Sequence, residues 1–208
     1  MLILKKIAVT GPLSSGKSTV CQILAEISKI YVVDADQLVQ ELYSDPEIKE
    51  KIAEIYNKKL NPENPITPLE INKRFIAEHI FDHPKQLREL EKILHPSVKE
   101  KIEEHYQKAQ LSEECDFFVV EIPLLYEVGW EEEFDAVILV NADETTCKKR
   151  FTKKTGKSEE EYRKRTERFL PIHEKMKKTP FLIDTTSSLD SIKNQLKTII
   201  AKIQLSGD

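Results

Sequence analysis

Two glycines, a lysine and a hydroxyl recur at a spacing that holds phosphate. Gly11-Pro12-Leu13-Ser14-Ser15-Gly16-Lys17-Ser18-Thr19 fits G-x-x-x-x-G-K-[ST], in which backbone N–H groups cradle a phosphate chain. The nucleotide-binding residues are then Gly11, Ser14, Ser15, Gly16, Lys17, Ser18 and Thr19. Lys17 is expected to reach the β- and γ-phosphates, and the Ser18 hydroxyl to sit on Mg²⁺. Pro12 has no N–H, so the donors come from residues 14 to 19.

Transferring a phosphoryl group also needs a proton acceptor and further positive charge. Asp34-Ala35-Asp36 closes the apolar run Ile30-Tyr31-Val32-Val33. Read as a strand end, a period of two turns both carboxylates to one side. One of them takes the proton of an attacking hydroxyl, or holds a water on Mg²⁺. The competing task is an N-cap pair for the next helix. The two combine with Asp34 as cap and Asp36 as base. Glu121 ends Phe117-Phe118-Val119-Val120, where a P-loop protein often keeps its Mg²⁺-linked acid; the alternative is a solvated strand end.

Arg150 stands in a basic segment, Lys148 to Arg168, with ten Lys or Arg against four Glu. A cation delivered there stabilises the charge that spreads over a transferring phosphoryl group. Arg150 is assigned that role, and the rest of the run reads as a solvated face. It lacks interleaved stacking aromatics, which argues against nucleic acid. By itself His95, before Pro96, reads as a packing or capping residue. His79, His83, His105 and His173 have no ligand spacing.

These residues need a scaffold. Ile7-Ala8-Val9 precedes the loop as a strand, and Val20, Ile23, Leu24 and Ile27 follow at helical spacing. Further apolar runs at Ile30–Val33, Phe117–Val120 and Phe134–Val140 read as strands, the first two as buried on both faces, and Phe181–Ile183 as a short fifth strand. Strands alternating with helices give an α/β fold with a five-stranded parallel sheet and ligands at its carboxyl edge. From Asp45 to Lys108 the pattern is helical and strand-poor. Asp45-Pro46 starts a helix, and Asn61-Pro62-Glu63-Asn64-Pro65 breaks the pattern. Thr67-Pro68-Leu69-Glu70 caps a helix expected to run to about Ile80. Leu87, Leu90, Leu94, Val98, Ile102 and Tyr106 form a stripe that Leu94-His95-Pro96 is expected to interrupt. Ser187 to Ile203 closes the chain as an amphipathic helix. The expected domains are a core of residues 1–44, 111–147 and 169–208, a helical substrate-binding insertion at 45–110, and a lid at 148–168.

Composition narrows the function. Of 208 residues 33% are charged and 39% hydrophobic, and the net charge is −4, so there is no global polycation for nucleic acid. Cys21, Cys115 and Cys147 are odd in number and far apart, which argues against a disulfide framework and a C-x-x-C metal site. No apolar run approaches the ~20 residues that span a bilayer. The expected setting is the cytoplasm, without membrane or nucleic-acid partners.

The ordered set resembles the dephospho-CoA kinase family, P-loop enzymes similar to nucleoside-monophosphate kinases. The resemblance rests on the P-loop, Asp34-Ala35-Asp36, Leu94-His95-Pro96, Pro123-Leu124-Leu125-Tyr126-Glu127 and the basic segment from Arg150. Arg165, Leu170-Pro171, Glu174-Lys175 and Ile183-Asp184 extend it over nearly the whole chain. It implies a three-layer P-loop fold, ATP and Mg²⁺, and phosphorylation of the ribose 3′-hydroxyl of dephospho-CoA. It implies Asp36 as base and Lys17 with Arg150 on the phosphates. It further implies Asp36, His95, Leu124 and Glu127 toward the acceptor, Ser18 and Glu121 toward the metal, and a monomer or weak homo-oligomer. The chain departs from the pattern at Pro12 and Ser14, where glycine is usual, and at Gln40, Glu121, Phe169 and Thr185. The alternatives are a P-loop kinase for another small acceptor, or a P-loop switch without an acceptor. The Asn-Lys-x-Asp motif of GTP-reading switches is absent from the sequence.

Overall fold

The computed structural model describes residues 4–60, 63, 65–72, 75–76, 80, 83–112 and 114–206. The chain divides into two compact units, one of Met1–Val33 with Lys108–Asp208 and one of Asp34–Gln107.

The first unit is built on a parallel sheet of β1 (Lys5–Thr10), β2 (Ile30–Asp34), β3 (Phe117–Glu121), β4 (Ala136–Asn141) and β5 (Phe181–Asp184), ordered β2-β3-β1-β4-β5. β1 lies at the centre, with Val9 beside Glu121 on one flank and Ile138 on the other. From β1 the chain crosses over to β2 on one side, and from β3 it crosses back to β4 on the other. The direction of winding reverses at β1, and the P-loop leaves its carboxyl end there, where open α/β sheets bind ligands. Phe117–Val120 and Ala136–Val140 are buried throughout, as strands covered on both faces must be, whereas the edge strand β2 leaves Val32 42% exposed, which corrects the expectation that Ile30–Val33 is buried on both faces.

One face is sealed by α1 (Lys17–Ile27) and α8 (Leu189–Leu205). Val20, Leu24, Ile192, Leu196, Ile200 and Ile203 pack on Ile7, Val9, Val119 and Ile138. Each such side chain contributes about 1.5–3 kcal/mol by leaving water. The basic segment folds as α5 (Glu144–Thr155) and α6 (Glu159–Thr166), and α7 (Ile172–Met176) leads to β5. Gly156, at φ 69°, ends α5, and the Ser158 hydroxyl accepts the Glu161 N–H to start α6. Phe151 and Tyr162 then meet edge to face at 5.5 Å, with Ala142, Cys147 and Leu13 around them.

The second unit holds α2 (Ala35–Leu42), α3 (Pro46–Ile55), a π-turn at Tyr56–Leu60, a 3₁₀ turn at Pro68–Glu70, and most of α4 (Pro84–Ser112). Asp45 caps α3 by accepting from Glu47 N at 2.9 Å and Ile48 N at 3.3 Å. Three expectations are corrected here. Asp36 lies in the first turn of α2 and not on the strand, which stops at Asp34, so a period of two does not apply to the pair. The capping box at Thr67 forms, with Glu70 accepting from Thr67 N at 2.8 Å, but Ile71 turns extended after one 3₁₀ turn, and helical structure resumes at Phe75 and Ile76, with Ile76 N on the Asn72 carbonyl and Ile80 N on the Ile76 carbonyl, both at 3.0 Å. Residues 73–74 and 77–79 of the helix expected there, including His79, and residues 61, 62 and 64 of the expected break lie outside the described residues.

The third correction is α4, which runs unbroken through Pro96. Pro in a helix interior removes one hydrogen bond and costs about 3 kcal/mol. Leu87, Leu90, Leu94, Val98, Ile102, Tyr106 and Ala109 form one continuous buried stripe, and that burial outweighs the cost. Pro96 itself faces solvent. Among the described residues no helix is long and apolar enough to cross a membrane.

Candidate active site

The P-loop backbone explains its sequence. Gly11 has φ 150°, and a Cβ there would lie 2.1 Å from the Val140 carbonyl oxygen of β4. Gly16, φ 100°, sits at the N-cap of α1, where a Cβ would press on Thr185 at 3.3 Å. Ser14 takes φ 60°, a left-handed conformation costing roughly 1–2 kcal/mol for a side chain with a Cβ. The turns leave the N-terminus of α1 facing the loop's concave side, a ready anion site.

Lys17 is 6% exposed and folds back over the loop, donating to the carbonyls of Gly11 at 3.1 Å and Pro12 at 3.0 Å. Ser15 is fully buried, and its Oγ has no protein hydrogen-bond partner among the described residues. An orphaned hydroxyl beneath a cradle that a Cβ would fill is a fit for phosphate oxygens. Ser18 and Thr19 are exposed at the start of α1. The Ser18 hydroxyl donates to Glu121 Oε1 at 3.3 Å, so the two residues expected to serve a metal are brought together. Oxygen donors in that number suit Mg²⁺, which keeps several waters and takes only one or two protein ligands besides phosphates. Among the described residues there is no cluster of three or more His, Cys, Asp or Glu that forms a protein-only cage.

Arg150, half-buried on α5, is seated on the loop. Its guanidinium donates to the Ser15 carbonyl at 3.1 Å, to Thr185 Oγ1 at 2.9 Å and to the Thr185 carbonyl at 2.8 Å. The Thr185 hydroxyl donates to the same Ser15 carbonyl. Thr185, which follows β5, is a bracing residue that spacing alone gave no reason to select. Lys149, Lys153, Lys154, Lys157, Arg163, Lys164, Arg165 and Arg168 are exposed, as a solvated face requires.

In the second unit, Asp34 Oδ1 accepts from Asp36 N at 2.8 Å and Gln37 N at 3.3 Å, making Asp34 the cap of α2. Asp36 is exposed, with Tyr43 in its field. Burial, and then the carboxylates of Asp36 and Glu91, push the Tyr43 phenol up to about 12. His95 is half-buried on α4.

Beside the P-loop, within the first unit, lies a cavity of about 230 Å³ lined by Pro12, Ala142, Cys147, Tyr162, Phe169 and Leu170 among others. Burial pushes the Cys147 thiol up, with Arg150 and a hydrogen bond from Tyr162 opposing, so it is a packing residue rather than a nucleophile. Leu124 is half-buried, and its carbonyl accepts from Val128 N at 3.1 Å. Glu127 Oε1 accepts from Leu170 N at 2.8 Å and lies 2.6 Å from Lys175 Nζ, a lysine only 1% exposed. Burial of Lys175 was not legible among Lys175, Lys177 and Lys178; the only signal was its place in the Glu174-Lys175 match.

Residues 5–191 match the CoaE, dephospho-CoA kinase, family. The chain belongs to that family. It is 36% identical over 207 residues to a dephospho-CoA kinase of Protochlamydia amoebophila, covering 99% of both chains. It is 35% identical over 199 residues to one of Chlamydia muridarum, covering 95% of each. A crystal structure of a Thermus thermophilus protein superposes with a TM-score of 0.78 at 30% identity, covering 97% of this chain and 98% of that one. A dephospho-CoA kinase of Campylobacter jejuni gives 0.64 at 25% identity, covering 98% of each.

Proposed function

We propose that this chain transfers the γ-phosphoryl group of ATP to the ribose 3′-hydroxyl of dephospho-CoA, giving CoA and ADP. Family membership over nearly the full length supports the reaction. The observation that carries the chemistry is the P-loop with Lys17 folded over it, Arg150 braced on its backbone and Ser18 joined to Glu121.

In this reading the loop N–H groups of residues 14 to 19 and the N-terminus of α1 receive the phosphates. Lys17 leaves its two carbonyl partners for the β- and γ-oxygens, and Arg150 offsets charge from its seat beside Ser15. Ser18 and Glu121 would hold Mg²⁺, which supplies charge neutralisation at the β- and γ-phosphates when bound. Asp36 takes the acceptor proton, while Asp34 fixes the start of α2. Segment 45–110 with His95, together with Leu124, serves the CoA moiety, Glu127 acts from behind the site with its carboxylate on Lys175 and Leu170 N, and segment 148–168 is the lid. The work is cytoplasmic.

Purified protein with ATP and Mg²⁺ should release ADP in a coupled assay when dephospho-CoA is added, with product carrying a 3′-phosphate. Release with a nucleoside or nucleotide acceptor in place of dephospho-CoA would assign another kinase. Release indifferent to any acceptor would assign a switch.

A further inference from the structure

Glu127 and Lys175 form a buried ion pair that does not line the cavity it stands behind. Their side chains are 9% and 1% exposed. Glu127 sits in the turn after β3, held by Val128 N on the Leu124 carbonyl and Trp130 N on the Leu125 carbonyl, both at 3.1 Å. Lys175 belongs to α7, whose first turn closes on the Pro171 carbonyl. One carboxylate oxygen thus ties two segments together, gripping Lys175 Nζ at 2.6 Å and the Leu170 N–H at 2.8 Å. Lys175 Nζ also lies 5.0 Å from the centre of the Phe169 ring, within cation–π range. A second pair, Lys178 with Glu131, stitches the same segments nearer solvent.

A buried pair is weak support for stability, because desolvation cancels much of the attraction. Lys175 Nζ and Glu127 Oε2 satisfy no hydrogen bond among the described residues, so the directional bond is the Leu170 N–H on Glu127 Oε1, with the lysine charge holding that carboxylate in place; what this positions is Phe169 and Leu170. Those residues form a wall of the cavity that also touches Pro12. Lys17 Nζ rests on the Pro12 carbonyl, and a P-loop lysine marks the β,γ end of the phosphate chain. The cavity therefore abuts the end from which the phosphoryl group departs.

We propose that the Glu127–Lys175 pair is a positioning device for the acceptor: it sets the Phe169–Leu170 wall against which part of the acceptor seats, without touching the ligand. This rests on the kinase reading above. Misplacement of a wall by about 1 Å costs up to ~10²-fold, and here the loss falls on acceptor binding.

The test uses the full chain as Lys175→Met, Glu127→Leu with Lys175→Met, and Lys175→Arg. Melting temperature, amide exchange at Leu170, and kcat and KM for each substrate are read together. Lys175→Met alone strands a buried carboxylate and should lower the melting temperature. The double variant strands no charge and should recover most of it. Its Leu170 amide, having lost its acceptor, should exchange about tenfold faster. KM for dephospho-CoA should rise about tenfold while KM for ATP stays within about twofold. Lys175→Arg keeps the pair and should stay near wild type. A recovered melting temperature with unchanged KM for dephospho-CoA would make the pair merely structural, and an equal rise in both KM values would move the wall to the nucleotide side; either overturns the proposal. If the double variant does not fold, Glu127→Gln decides. It keeps an acceptor for Leu170 and should hold KM within about threefold, whereas a tenfold rise would assign the effect to charge and not to the wall. Should wild type fail to use dephospho-CoA, the functional reading falls on that result alone. The melting and exchange readouts still test the latch.

Discussion

Gly11 and Pro96 are both residues that ordinary strand and helix preferences reject, one in each unit of the molecule. In the P-loop unit, Gly11 is there because nothing larger fits: the Val140 carbonyl oxygen stands 2.1 Å from where a Cβ would be. In the helical unit, Pro96 is tolerated because the buried stripe from Leu87 to Ala109 carries α4 past it. Backbone geometry imposed by phosphate binding is unforgiving, whereas apolar packing overrides local preference. The first kind of constraint leaves a spaced motif in a sequence; the second leaves only a periodicity, on which a proline is a misleading mark.

The largest expected effect sharpens this contrast inside the P-loop itself. Gly11→Ala puts a methyl group into rigid backbone of β4 and should lower unfolding stability by at least about 3 kcal/mol, with turnover lost as well. Lys17→Ala should lower turnover by about three orders of magnitude while the melting temperature stays closer to wild type than that of Gly11→Ala, since the truncation puts no atom into rigid backbone. Thermal denaturation beside the coupled assay separates the two. A Lys17→Ala protein with ordinary turnover would break the kinase reading, and a stable Gly11→Ala protein would break the steric one.

A smaller effect is expected across the aspartate pair. General-base help is worth about 10²–10⁴-fold, so Asp36→Asn should lower kcat by about two or more orders of magnitude with ATP affinity nearly unchanged. Asp34→Asn should be mild, because asparagine caps a helix about as well as aspartate and the bonds from Asp36 N and Gln37 N need only an acceptor. Kinetics on both variants decide it. If Asp34→Asn is the inactive one, the base is misassigned.

Much of the core was legible because its constraints are local or periodic. The β1–loop–α1 order and the five apolar runs follow from residue type and spacing, whereas the contact of Ser18 with Glu121 is made by the parallel pairing of β1 with β3. The helical unit was less so. Asp34 was legible as a helix cap; what the strand-end reading missed is that the helix then begins at Ala35, which takes Asp36 out of the strand's period of two. The capping box at Thr67 starts only a 3₁₀ turn, which ends at Glu70; helical bonds resume after it, with Ile76 N on the Asn72 carbonyl and Ile80 N on the Ile76 carbonyl. The Glu127–Lys175 pair was half visible: both residues lay in matched motifs, but burial of a lysine among lysines is decided by tertiary packing alone.

The smallest effect returns to Pro96. Replacing it with alanine restores an N–H that can reach the Lys92 carbonyl four residues back and removes the ring clash, a gain of up to about 3 kcal/mol in a helix interior. Against this, the unfolded chain becomes more flexible, which costs about 0.4–1 kcal/mol. The position faces solvent, so no core contact is lost. The net expectation is a gain of about 2 kcal/mol for Pro96→Ala, read as a higher urea midpoint with an unchanged slope. A lower midpoint would mean that α4 is bent at Pro96 in a way its neighbours require, and that packing in the helical unit is as unforgiving as the backbone of the P-loop.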